Sequence, residues 1–135
     1  EDSPLWEARL LRGQTLLKMG DAESAEHDAD YMLEHIGEHE DVLMLKARCL
    51  EARDDNDNAL VYYGKVIDTN PFCLDALRAR AALRELMGDT QGAKEDNAVI
   101  EEMTARESPT GSASQAEENI QQKTEQAYKD VNPFG

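Results

Sequence analysis

The sequence predicts an all-α protein made of one helix hairpin repeated three times, and three observations carry that reading. First, landmark residues recur thirty-four positions apart: Gly13, Ala47 and Ala81; Gly20, Asp54 and Gly88; Asp21, Asp55 and Asp89; Ala25, Ala59 and Ala93. Four series in one register mark a structural repeat. Second, each period places a helix stop directly before a helix start, as in Lys18-Met-Gly-Asp21 and Met87-Gly-Asp89. There the glycine can take the left-handed cap of one helix and the aspartate can cap the next. Third, with 32% charged and 40% hydrophobic residues the composition is that of a globular chain, and Pro, Gly and Ser gather only near the C-terminal end.

Each element has a local reason. Ser3-Pro4 opens the first helix, since Ser can cap free amides and Pro at the first helical position loses no hydrogen bond. Leu5, Ala8, Leu11 and Leu16 are expected to supply buried contacts from it. The second helices are expected over about Ala22–Ile36, Asn56–Thr69 and Thr90–Ala105. Gly37 ends the first of these, and Asn70-Pro71 ends the second because Pro disfavours helix at the residue before it. Asp54 stands where the other repeats have Gly, at a cost of up to ~1 kcal/mol for a left-handed position. The stretch 108–114 reads as a linker rich in Pro, Gly and Ser. Ser114-Gln-Ala-Glu117 is then a capping box. It opens a seventh helical pattern over 115–131 with a thin stripe of Ala116, Ile120, Ala127, Tyr128 and Val131, expected to cap the last repeat, with docking elsewhere or disorder as the alternatives. Residues 132–135 form a tail.

From about Trp6 to Glu107 the pattern resembles the tetratricopeptide repeat (TPR). The matching residues are Gly13, Leu16, Gly20-Asp21, Ala25 and Met32; then Leu43, Ala47, Leu50, Ala59, Tyr63, Val66 and Pro71; then Leu77, Ala81, Gly88-Asp89, Ala93 and Ile100. The third repeat departs at Arg84 and Asn97, where large apolar residues are usual. The resemblance implies a right-handed α-solenoid of three hairpins, over about 6–39, 40–73 and 74–107, plus the C-terminal helix. It also implies a scaffold that binds a peptide or helix of another protein along the concave face of the first helices. By register that face carries Glu7, Leu10, Gln14, Leu17 and Lys18; Asp41, Met44, Arg48, Glu51 and Ala52; and Asp75, Arg78, Ala82, Glu85 and Leu86. Charges among apolar patches point to an amphipathic, somewhat basic partner. The carboxylate-clamp subclass is not matched, because Leu10, Gln14, Leu45, Asp75 and Ala79 stand at the clamp positions.

The charge balance excludes other partners. With 29 acidic against 14 basic residues, a net charge of −15 repels nucleic acid and anionic membrane surfaces at long range. No run approaches the ~18 apolar residues of a membrane span. The absent initiator Met points to a processed or excised chain, so the lack of a signal peptide assigns no compartment. Cys49 and Cys73 are expected to lie around 15 Å apart along parallel helices, at ~1.5 Å per residue. A disulfide needs Cα atoms within about 7 Å. Two free thiols agree with a reducing setting such as the cytoplasm.

No catalytic, metal or cofactor residue is expected. His35-Ile-Gly-Glu38-His39 satisfies the H-x-x-E-H pattern of certain zinc peptidases, but Gly37 stands where the repeat demands a helix break. A zinc hydrolase using His35 and His39 and a self-assembly module joined through exposed edge repeats are the competing readings. The C-terminal Asn132-Pro-Phe-Gly135 resembles ligands of EH domains, and the same tripeptide recurs at Asn70–Phe72 as a turn.

One further series shares the register: Arg12, Lys46 and Arg80 on the first helices against Asp28, Tyr62 and Asp96 on the second. A charge at a position usually apolar needs a partner. Arg12 with Asp28 and Arg80 with Asp96 are the expected pairs, and Lys46 with Asp28 across hairpins is the competing geometry.

Overall fold

The structure is a computed structural model that describes residues 3–107, all of the regular structure there being helical: α1 (Ser3–Lys18), α2 (Ala22–His35), α3 (Glu40–Ala52), α4 (Asn56–Thr69), α5 (Leu74–Leu86) and α6 (Thr90–Glu107). The expected linker, seventh helix and Asn132-Pro-Phe tail lie outside the described residues. The chain divides into two compact units, one reaching Asp96 and one beginning at Asn97. The first holds α1 to α5 and the start of α6, and everything below concerns it.

The turns follow the sequence reading closely. Gly20, Asp54 and Gly88 all take positive φ, at 90°, 62° and 88°. They therefore share one left-handed position, and the middle repeat fills it with Asp. Asp21 accepts from the Ser24 amide at 3.1 Å and Asp89 from the Gly92 amide at 2.9 Å, so both cap the helix that follows. Asp55 caps no amide and instead accepts from the Asn58 side chain at 3.0 Å. After α4, Asn70 Oδ1 accepts from the Phe72 amide at 3.1 Å, closing the Asn-Pro-Phe turn.

Two buried clusters join successive hairpins. In the first, Ala25, Ala29 and Met32 of α2 meet Val42, Leu45 and Cys49 of α3, with Trp6, Leu10, Leu16 and Leu17 of α1 alongside. In the second, Ala59, Tyr63 and Val66 of α4 meet Ala76 and Leu83 of α5 and Leu43, Met44, Ala47 and Leu50 of α3. Close approach explains the first landmark series. A Cβ on Gly13 would lie 2.7 Å from Leu45 Cδ2 and 3.3 Å from Asp28 Cβ, so a side chain at this crossing would require the Leu45 side chain to shift, whereas Ala47 and Ala81 occupy the equivalent places as buried residues.

Part of α1 departs from expectation. Leu16 is half-buried, but Leu5 and Leu11 are 62% and 63% exposed, and Ala8 is exposed as well. These positions face outward because no hairpin among the described residues lies against them.

The polar pairs sit inside the hairpins. Arg12 Nε and Nη2 donate to the Asp28 carboxylate at 2.9 and 2.5 Å, and Arg9 Nη1 adds a third bond at 3.2 Å. The hydrogen bond from Arg12 holds the Asp28 carboxyl below its usual range against the opposing effect of burial. Asp96 takes the same place in the third hairpin, accepting from Arg80 at 3.0 and 2.7 Å and from Arg84 Nη1 at 3.1 Å. Arg84, a departure from the apolar pattern, is thus the second arm of an Arg-Asp-Arg cluster. Lys46 does not pair with Asp28. Its ammonium reaches back to α2, to Glu26 at 2.6 Å and Asp30 at 2.7 Å, which flank the position of Asp28.

Candidate functional site

The groove is built by α1 and α3 lying side by side, with the start of α5 closing one end. Its volume is about 450 Å³, and it is lined by Gln14, Leu17, Lys18, Glu40, Asp41, Met44, Leu45, Arg48, Cys73 and Asp75. The helix ends explain where its charges fall. Glu40 and Asp41 occupy the first turn of α3, Asp75 the first turn of α5, and Lys18 the last turn of α1, each suited to the partial charge of its helix terminus. One wall therefore offers carboxylates, and Lys18 and Arg48 offer cations. Leu17 supplies apolar surface between them, above the buried Leu45. Glu40 is held in place by the Asn70 amide at 3.2 and 3.3 Å.

Of the residues expected on this face, the groove brings together Gln14, Leu17, Lys18, Asp41, Met44, Arg48 and Asp75. Leu10 lies instead in an adjoining hollow of about 280 Å³ with Trp6, Glu7, Met32, Ile36, His39 and Val42, and Asp41 borders both. Arg78 and Ala82 are exposed on α5 outside the lining, as are Ala52 on α3 and Glu85 and Leu86 on α5. Glu51 is engaged inside hairpin two, where its carboxylate accepts from the Tyr63 hydroxyl at 2.6 Å. Met44 needs a correction of role: at 8% exposure it belongs to the core, so it is floor rather than a side chain that reaches a ligand. A charge there would be buried in the apolar cluster around Tyr63.

Sequence reasoning missed Glu40 and Cys73 as lining residues, and named Leu45 only as standing at a clamp position. Glu40 and Cys73 sit at or just before a helix start, where one register position decides whether a side chain faces the groove. Both thiols are free. Cys49 is buried, and burial, with the nearby Glu26 carboxylate, pushes its pKa up to about 12. Cys73 is half-buried and is raised as well, chiefly by burial.

The H-x-x-E-H string forms no helix face. Gly37, at φ 94°, separates His35 at the end of α2 from His39 at the N-cap of α3. His35 Nδ1 lies 2.8 Å from the Tyr31 carbonyl oxygen, and its ring packs 4.0 Å from that of Tyr31. Among the described residues no group of three or more His, Cys, Asp or Glu gathers to hold a metal ion, and no helix is long and apolar enough to cross a membrane.

No family model matches the chain, and no curated protein matches it. Among solved structures it is similar to PcrH, determined in complex with the chaperone-binding region of PopB, with a TM-score of 0.73 and 14% identity over 84% of this chain and 90% of that one. At that identity the likeness is one of fold. The chain has an all-helical repeat fold of helix hairpins.

Proposed function

We propose that this chain is a TPR-type repeat protein that binds a segment of a partner protein, as a peptide or a helix, in the groove between α1 and α3, without catalysing a reaction. The observation that carries this reading is the convergence of Gln14, Leu17, Lys18, Asp41, Arg48 and Asp75 from three helices on one groove. That the similar fold of PcrH was determined with a region of PopB supports binding as the use of such a fold. Glu40, Asp41 and Asp75 outnumber Lys18 and Arg48 there, which favours an amphipathic segment with some positive charge.

Site-specific photo-cross-linking tests this. A photoreactive residue at Gln14 is expected to capture a partner that the same residue at exposed Asp57 on α4 does not. Arg48→Glu should change the yield several-fold with the circular dichroism spectrum unaltered, because Arg48 is exposed. Equal capture from both positions would overturn the groove as the site. A product at twice the mass of the chain would favour self-assembly instead.

A further inference from the structure

The hollow at Trp6 and the α5 end of the groove are the same place in the repeat, one hairpin apart. The hollow lies where hairpin one meets hairpin two and is walled by α1, the end of α2 and the start of α3. Thirty-four positions on from its Trp6, Leu10, Ile36 and His39 stand Glu40, Met44, Asn70 and Cys73. Of these, Glu40, Met44 and Cys73 line the groove, and Asn70 holds Glu40 through its amide at 3.2 and 3.3 Å. One register place is therefore apolar in its first occurrence and acidic in its second.

Chemistry narrows what each accepts. In the hollow, Met32 and Val42 form a buried floor between half-buried walls of Trp6, Leu10 and Ile36. At about 280 Å³ it is smaller than the ~300–1,000 Å³ of small-molecule sites and suits one large apolar side chain. Trp6 Nε1 is the one buried side-chain nitrogen or oxygen among the described residues that has no hydrogen-bond partner. An indole N–H only donates, so what it lacks is an acceptor, and a tilt of the ring toward a carbonyl on a bound segment would supply one. A helical ligand uses its carbonyls internally, whereas an extended one has them free. The acidic place gathers Glu40, Asp41 and Asp75, and Arg48 stands about two turns further along α3. A Lys or Arg side chain complements it.

Equivalent points on α1 and α3 are one helix spacing apart, about 8–10 Å. An extended chain covers that in about three residues at ~3.3 Å each. We infer that the groove takes an extended segment of a partner protein that carries one large apolar residue and, about three positions away, one Lys or Arg. The apolar side chain fills the hollow at Trp6, and the cation sits among Glu40, Asp41 and Asp75. Asp41 borders both places and so stands between the two anchors. This assignment rests on the groove being a binding site and adds the form of the ligand and the spacing of its anchors.

The test selects short random peptides displayed on phage, with the intact chain as bait. Enriched peptides are expected to share a Leu, Ile, Met or Phe with a Lys or Arg about three positions away. Synthetic copies should shift the emission of Trp6, the only tryptophan of the sequence. Exchanging either anchor for Ser should weaken binding at least about tenfold, read by fluorescence anisotropy of a labelled peptide. Asp75→Lys, at an exposed position in the first turn of α5, should weaken the parent peptide by about as much and leave the peptide that lacks the cation unchanged. If no peptide is enriched, or if neither Asp75→Lys nor Arg48→Glu alters binding, both the groove and the two anchors are overturned. The anchors alone are overturned, and the groove stands, if peptides respond to Arg48→Glu but leave Trp6 emission unchanged or keep their affinity without the cation. A spacing of about seven positions, the helical distance, would likewise overturn the extended form alone.

Discussion

Tyr63→Ala is expected to cost about 3–5 kcal/mol, the range for removing a large aromatic side chain from a packed core. Tyr63 is 1% exposed and heads the largest fully buried side chains. It meets residues of both α3 and α5, so its loss opens a void shared by the second and third hairpins. Repeat folds hold together through such nearest-neighbour interfaces. A domain of this size has a stability of only ~5–15 kcal/mol, so the variant should be partly unfolded or nearly so. Tyr63→Phe separates packing from polarity. It keeps the ring but removes the hydroxyl that donates to Glu51 at 2.6 Å, for a cost of about 1–2 kcal/mol. Urea denaturation followed by circular dichroism reads both variants. A loss below about 1 kcal/mol for Tyr63→Ala would mean that this core does not couple the two hairpins.

Asp96→Ala is expected to destabilise by about 2–4 kcal/mol. The carboxylate is 2% exposed and accepts three hydrogen bonds, so its removal leaves the Arg80 and Arg84 guanidinium groups facing each other without it. Their side chains are 19% and 24% exposed, which lets each group recover some hydration and keeps the cost below that of a fully buried pair. The double variant Arg80→Ala with Asp96→Ala should lose less than the sum of the single losses, by 0.5 kcal/mol or more, since the second change removes a charge already stranded. Strictly additive losses in the same denaturation assay would show that the cluster acts as independent surface charges.

Much of the fold was legible because backbone requirements leave marks in sequence. Asp54 could be recognised as a left-handed residue only because Gly20 and Gly88 hold its place in the other repeats, and its φ of 62° agrees with theirs. Side-chain environments were less legible. Leu11 and Leu45 are the same residue at the same register position, yet one is exposed and the other buried, because burial depends on the neighbouring hairpin and not on the helix itself. Arg84 read as a gap in an apolar pattern, when it is in fact a partner of Asp96. Lys46 shows the limit of register for long side chains. Its flexible stem carries the ammonium past Asp28 to the two acids on either side. For the groove, the helical period placed Gln14 and Leu17 of α1 on the face it shares with Arg48 of α3. It had no means of showing that α5 contributes only its first turn, which leaves Arg78 and Ala82 outside the lining.

The two thiols differ in a way that makes the chain its own reporter. Cys49 is sealed beneath Ala25 and Ala29, and its raised pKa leaves almost no thiolate at neutral pH, so an alkylating reagent should pass it by in the native protein. Cys73 borders the groove and is the only other cysteine of the sequence. Mass spectrometry after a brief alkylation should therefore find one adduct per molecule, at Cys73. Its rate should rise with pH as the thiolate forms and fall when the groove is filled, which gives a readout of occupancy that needs no introduced label.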